Sequence, residues 1–537
     1  MKKPLNSMLN KCALAVFALL GIQQANAQCS TTNISGDYTV NADIILSGTY
    51  NISGTFKIPA NVTVYVKPFS SGGCGKLEIN AQKIIIIGAI NGDYSGNTGG
   101  SGGLGGSAVT SLTGDNTAIN TCSNKDNTGV VMVEGGKFGS NGSGPGAGVQ
   151  GQNGTTGSGP KQQCLNSSDE CGMIGGSGGA GGGGGGSYGG AGSAGSNGGN
   201  GTNTYTATGV NVSTGYIVVG GSGGTGGSTG VVYGTASGND IDLGSGGAGA
   251  GGGGCSYNVG LPGGKGGNGG GLVKLIATDS IKISGKITSN GENGTNGGDG
   301  GNGGISPKCC SDGCDDAGEE TLSCGAGGGS GSGGGSGGGI YIQSQNAAVI
   351  SGTLQTTGGN GGNGGLKGNG TSDTYSGGIF CGTENLTSGN GNAGTKGGAG
   401  GGGRIKIFVP SCLSATVNPV YSISGGTGNA SGSNGTYQLV CGFTGIENNI
   451  KEQNTLILFP NPFQDKISVR FKYDPSVNDM SRFSISNTLG EVVKTESSDE
   501  LRNQGQCTLD LSDLQPGIYF IQITLNQLHY DYKIIKQ

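Results

Sequence analysis

No tryptophan occurs in the 537 residues, and histidine occurs once, at His529. That leaves residues 1–528 without the imidazole base that Ser-His or Cys-His nucleophiles need. It also leaves them without a histidine ligand for zinc. Aromatic residues make up 5% and charged residues 11% of the chain, against roughly 25% charged residues in an ordinary globular domain. Rings for stacking on sugars are scarce, and there is no basic footprint for nucleic acid. Thirteen prolines beside 127 glycines exclude collagen, which needs both.

Long hydrophobic runs are also missing. The strongest, Ala13 to Ile22, falls well short of the ~20 residues a membrane span requires. It follows Lys2, Lys3 and Lys11 and precedes Ala25-Asn-Ala27, so residues 1–27 read as a cleavable secretory leader. Cys29 follows closely, but Gln28 is not the small residue a lipoprotein signal wants before its cysteine. The leader holds three of the 28 basic residues and none of the 33 acids, so the remainder carries 25 against 33, net −8.

Cysteine is the exception to this sparseness. Fourteen of the fifteen lie beyond the leader, and an exported chain favours disulfides. Cys29 with Cys74, Cys164 with Cys171, and Cys412 with Cys441 are plausible local pairs. Connectivity stays open, because Cys507 in the C-terminal segment leaves an odd number in the body.

Glycine density collapses near Gly445, which divides a body (28–445) from a linker (446–453) and a terminal segment (454–537). In that last segment Lys466-Ile-Ser-Val-Arg-Phe471 and Arg482-Phe-Ser-Ile-Ser486 alternate with the period of half-buried strands. About seven short strands with regular turns predict a small β-sandwich; His529 reads as a surface strand residue.

The segment resembles the type A C-terminal sorting domain of type IX secretion cargo in Bacteroidota. The matching stretches are FPNPFQDKISV (459–469), Leu489-Gly490 between strands, LSDLQPGIYFIQI (511–523) and KIIKQ (533–537). The resemblance implies a signal built on Pro460, Asn461, Pro462, Leu489, Gly490, Leu514, Pro516, Gly517, Ile518, Tyr519, Lys533 and Lys536. It implies recognition by the type IX machinery and its sortase, and release from the cell or attachment to its surface. It says nothing of what the body does.

The body repeats. GGLVKLIATDSIKISGKITSNG (270–291) superposes on GGGIYIQSQNAAVISGTLQTTG (337–358) at an offset of 67 residues, placing Val273 on Ile340, Leu275 on Ile342, Ile283 on Ile350 and Ile287 on Leu354. Further copies begin at Leu77 and Arg404, and a degenerate one at Tyr216-Ile-Val-Val-Gly220. One unit cannot bury its own apolar face; a stack can. The expected fold class is therefore all-β: a β-solenoid or parallel β-helix-like spine from about residue 30 to 440.

Each copy is followed by a glycine tract with a triplet bias, such as GGDGGN (297–302) or GGNGGNGG (358–365). Period three suits a threefold extended helix without internal hydrogen bonds. Alone it is unstable, since ordering a residue costs ~1–2 kcal/mol. Packed side by side, such helices exchange backbone hydrogen bonds. The tracts resemble polyglycine-II bundles of phage tail-tip adhesins and glycine-rich antifreeze proteins. Tracts at fixed places after a strand unit favour ordered excursions over floppy linkers.

One stretch has the residues for chemistry: CCSDGCDDAGEETLSC (309–324). Its Asp312, Asp315, Asp316, Glu319 and Glu320 suit a hard cation such as calcium, the one cofactor candidate. Its Cys309, Cys310, Cys314 and Cys324 read as disulfides rather than zinc ligands in an exported chain. A disulfide-pinned acidic loop is the preferred reading, and no catalytic residue or other cofactor is expected. Asp240 and Asp242 share one face of an expected strand and read as solvated decoration.

The composite expectation is a secreted or cell-surface adhesin or structural protein that presents Asn, Ser and Thr to glycans or surfaces. Nucleic acid is not an expected partner. The alternatives are a polysaccharide lyase or hydrolase using paired carboxylates, and an ice-binding protein.

Overall fold

The computed structural model describes residues 29–69, 72–107, 110–111, 130–160, 170–208, 211–212, 218–306, 321–376, 383–412, 415–442, 456–471, 481–488, 490–498, 506–525 and 528–537. The expected leader, the linker, Cys164, Cys309, Cys310, Cys314, the five acidic candidates Asp312 to Glu320, and Leu489 lie outside them. Among the described residues the secondary structure is all-β, and no helix is long and apolar enough to cross a membrane. The chain divides into two compact units, Met1–Thr444 and Gly445–Gln537.

The first unit is organised by two parallel sheets. One, ten-stranded, runs in the order Thr31–Ile34, Gly48–Ile58, Lys76–Ile86, Leu272–Ile283, Gly339–Ser344, Arg404–Val409, Thr436–Cys441, with three short strands beside this path. The other, six-stranded, contains Ile44–Leu46, Thr63–Val66, Ala89–Asn91, Lys286–Thr288, Thr353–Gln355 and Val420–Ser422. Alternate Ile, Val and Leu side chains from both sheets form one core, in which Leu77, Val273, Ile340 and Ile405 are fully buried. The register follows the repeat. Val273 pairs with Ile340, Leu275 with Ile342, Ile283 with Ile350 and Ile287 with Leu354. Leu77 and Ile405 continue the first of these columns.

The corner between the sheets explains the Ile-Ser-Gly of each copy. Gly352 approaches the carbonyl of Gly285, and Gly285 that of Gly88, so closely that a Cβ would overlap the oxygen. The Tyr216–Gly220 segment is not a further rung. Its residues 216–217 are outside the described set, and Val219 bridges to Ser158 instead.

Between one rung and the next, the chain leaves the six-stranded sheet as a glycine tract and returns as a second. Tract 289–303 follows Lys286–Thr288, and tract 325–338 leads into Gly339–Ser344. These tracts are ordered. In 325–338 the donors rotate with period three. Residues 325, 328, 331, 334 and 337 donate to carbonyls of tract 389–403, while 326, 329, 332, 335 and 338 donate to 289–303. Gly327 and Ser330 donate to Ser177 and Ala180, and Gly333 and Ser336 to Ala248 and Ser245. The distances are 2.8–3.0 Å. A buried N–H left unpaired would cost ~1–3 kcal/mol, and this lattice leaves none unpaired along 325–338. Neighbouring backbones come close enough that a Cβ at Gly329 would overlap the carbonyl of Gly251.

Two disulfides are described, Cys29–Cys74 and Cys412–Cys441, with Cα atoms 5.5 and 5.3 Å apart. One expectation is corrected: Cys324 is not bridged. It is a fully buried thiol packed with Leu322 and Leu386, its Sγ 3.5 Å from the Thr204 carbonyl, and burial pushes its pKa up to about 11. Cys171 lies in the strand Glu170–Ile174.

The second unit has two antiparallel sheets, of three strands (Leu456–Phe459, Lys466–Phe471, Gln506–Asp510) and four (Val492–Ser498, Ser481–Ser486, Gly517–Leu525, Leu528–Lys536). The alternating apolar residues Ile467, Val469, Phe483, Ile485, Leu509, Ile521 and Ile534 form its core.

Candidate binding surface and sorting unit

The tracts at the margin of the bundle have no further tract to receive their outward N–H groups. Asparagine fills that role. Asn293 Oδ1 accepts from Asn360 N at 2.8 Å, Asn296 Oδ1 from Asn363 N at 3.3 Å, and Asn302 Oδ1 from Asn369 N at 2.9 Å. Asp299 takes the same place toward Leu366 N, and Asn290 toward Thr357 N and Oγ1. Asn360 repeats the pattern toward Thr427. Because each partner is an N–H donor, the oxygen must face it, and the amide NH₂ then faces away. The result is a solvent face with one polar side chain every third residue, ~9 Å apart along a tract at ~3.1 Å per residue.

A second polar feature is a groove of about 540 Å³ lined by uncharged, non-aromatic residues, among them Ser196, Asn197, Asn200, Asn392, Thr395 and Asn429. Asn197 and Asn200 accept from Gly226 N and Gly223 N at 3.1 and 2.7 Å, so their oxygens are committed to the bundle. Ser196 donates to the Lys396 carbonyl, and Thr395 to the Asn197 carbonyl. Among the described residues, the side-chain amides of Asn392 and Asn429 have no hydrogen-bond partner, and both residues are exposed.

The carboxylates read as decoration are placed differently. Residues 239–243 are not a strand. They belong to a strap crossing the outward face of the ten-stranded sheet, where a Cβ at Gly339 would meet Ile241. Asp240 holds the fully buried Lys406 ammonium, 2.8 Å from Oδ1. Burial opposes ionisation of Asp240, but Lys406 and Thr235 outweigh it and hold the carboxyl down to about 2. Burial pushes Asp242 up. Beside them Arg404 donates to the carbonyls of Tyr233 and Gly234 at 2.9 and 3.2 Å, and its guanidinium lies over the Tyr188 ring. This cluster fastens the strap to the sheet, and its cations are consumed in doing so. Among the described residues, no group of three or more His, Cys, Asp or Glu could hold a metal.

In the second unit two of the expected sorting stretches meet. The Asn461 amide donates to the Lys533 carbonyl at 2.8 Å and accepts from Ile535 N at 2.9 Å. Pro460 and Pro462 flank it, both after cis peptide bonds. The buried Lys536 ammonium donates to the carbonyls of Leu511 and Ser512 at 2.6 and 2.9 Å. Tyr519 turns its hydroxyl to the Gln515 carbonyl at 2.8 Å, next to Pro516 and Gly517, while Leu514 packs on the core. Ile518 is exposed, and Gly490 lies at a separate turn with φ +83°.

Residues 457–537 match the family described as the secretion system C-terminal sorting domain. A solved structure, a DUF3244-family protein with an immunoglobulin-like β-sandwich fold from Bacteroides vulgatus, aligns at 14% identity over 16% of this chain and 85% of that one, with a TM-score of 0.13. No curated protein matches the chain. The chain thus carries, over residues 457–537, a sorting domain of type IX secretion, the mark of a protein exported to the cell surface or the extracellular space.

Proposed function

We propose that the protein is an adhesin or structural surface component, made of a β-solenoid-like spine that carries polyglycine-II-like rods. The observation behind this reading is the asparagine face from Asn290 to Asn369, whose oxygens are committed to the backbone and whose NH₂ groups face solvent. A rigid, evenly spaced set of donors suits contact with an extended polar surface, because ordering the donors is already done before binding. Export by type IX secretion puts such a face where surfaces are met.

The test is depletion of the leader-free, oxidised protein by insoluble glycans and mineral surfaces, with attachment of cells lacking the gene alongside. Saturable binding and weaker attachment are expected. No binding to any surface together with unchanged attachment refutes the proposal. The same periodic face supports ice binding as the second reading, and absence of thermal hysteresis in a freezing-point assay removes it.

A further inference from the structure

The groove at Asn197, Asn200, Asn392 and Asn429 bears on what is bound. Its lining contains no charged group and no aromatic ring. An ionic ligand would be partly desolvated there without a counter-charge, which is unfavourable. A ligand that depends on ring stacking would find no platform. What the groove offers is amide: NH₂ donors fixed at Asn197 and Asn200, and complete amides, donor and acceptor, at Asn392 and Asn429. Its volume, about 540 Å³, lies inside the ~300–1,000 Å³ range of small-ligand sites. Its floor is hydrogen-bonded backbone, since Asn392 N donates to Asn200 O and Asn429 N to Gly397 O at 2.8 and 2.9 Å. The shape therefore needs little rearrangement to accept a ligand.

We infer that this groove binds a short run of a neutral, hydroxyl-rich glycan, edge-on, through side-chain amides. The inference rests on the adhesin reading and names a ligand class and a subsite for it. Asn392 and Asn429 serve as the probe positions because their amides support no other part of the fold.

The experiment is isothermal titration of the full leader-free chain with cellohexaose, maltohexaose and hexagalacturonate, for the native protein and for N392A/N429A. One neutral hexasaccharide is expected to bind, hexagalacturonate to bind no tighter, and the double variant to bind at least fivefold more weakly with unchanged circular dichroism. Asn392→Asp serves as a second variant: it preserves size, adds a negative charge and is expected to weaken neutral-sugar binding by a similar factor. Equal binding by native and variant proteins overturns the groove assignment, and preference for hexagalacturonate overturns the ligand class. If neither neutral hexasaccharide binds, the inference falls; adherence to insoluble surfaces in the depletion assay would then show that the adhesin reading survives without it.

Discussion

Gly329→Ala distinguishes a rod lattice from slack glycine loops. In a flexible loop, Gly→Ala is neutral or stabilises by ~0.4–1 kcal/mol, because alanine restricts the unfolded chain. Here Gly329 is enclosed. Its N–H donates to Gly298 O and its carbonyl accepts from Gly365 N, both at 2.8 Å, and a Cβ would overlap the carbonyl of Gly251. Room comes only by parting tract 325–338 from tract 244–255, which are joined by Gly251 N to Ser330 O, Gly254 N to Gly327 O and Gly333 N to Ala248 O. Loss of one or two such bonds, at ~1–3 kcal/mol for each buried group left unpaired, adds to ~1–3 kcal/mol of overpacking. A destabilisation of about 3–5 kcal/mol is expected. Ala326→Gly is the control, since Ala326 is fully buried in the same tract at a position that accommodates its methyl; about 1 kcal/mol is expected there. The assays are the guanidinium midpoint by tyrosine fluorescence and hydrogen exchange of both tracts by mass spectrometry. An unchanged or raised midpoint in Gly329→Ala, with rapid exchange along 325–338 in the native protein, refutes the lattice argument.

Four further outcomes follow from the same geometry. Asp240→Asn leaves the Lys406 ammonium buried with only the residue-240 carbonyl and a neutral amide as acceptors, and should destabilise by about 2 kcal/mol, whereas Lys406→Met should stay within about 1 kcal/mol; chemical denaturation separates them. Asp240 is held at about 2, below its unfolded value of ~3.9, so its contribution is complete above about pH 4 and is lost as pH falls through 2. It is nearly half exposed, so at most about 1 kcal/mol is at stake, read as faster exchange of residues 231–243 after correction for the intrinsic rate. Reduction of Cys29–Cys74 and Cys412–Cys441, which close loops of sequence separation 45 and 29, should each remove about 3–4 kcal/mol and lower the melting temperature. Asn461→Ala removes both side-chain bonds to the final strand, and should reduce export several-fold in a cell-fractionation assay while the body's proteolytic pattern stays native.

The sheets were legible in the sequence because strand periodicity and the 67-residue offset act on the same residues. Val273 over Ile340 is a sequence alignment that becomes a hydrogen-bonded pair. The sorting segment was legible because its motifs have a fixed order, although Asn461 holding the final strand is invisible until the fold unites positions 461 and 535. The candidate surface was only half legible. Asparagine every third residue from Asn290 to Asn302, echoed from Thr357 to Asn369, was present as a signal. Yet the side chains seemed to offer both donor and acceptor outward, because nothing in one tract shows that its neighbour needs an acceptor. Asp240 was misplaced for a similar reason: its partner Lys406 is remote in sequence, and the alternation around Ile241 imitates a strand. Cys324 was grouped with its neighbours in sequence, whereas its surroundings are Leu322 and Leu386.

The neighbour of Lys76–Ile86 in the ten-stranded sheet is Leu272–Ile283, with Leu77 opposite Val273 although tracts 96–107 through 260–271 lie between them in sequence. Rungs 272–283, 339–344 and 404–409 close over short, equal separations, and closure of a loop becomes slower and entropically more demanding as it lengthens. Assembly therefore has a natural order. The C-terminal rungs form first and offer an edge; the inserted tracts add to one another in the growing lattice; the N-terminal strands dock last. Until that final docking, Leu272–Ile283 is an open parallel edge, the stage at which a partly folded chain is most exposed to pairing with another copy.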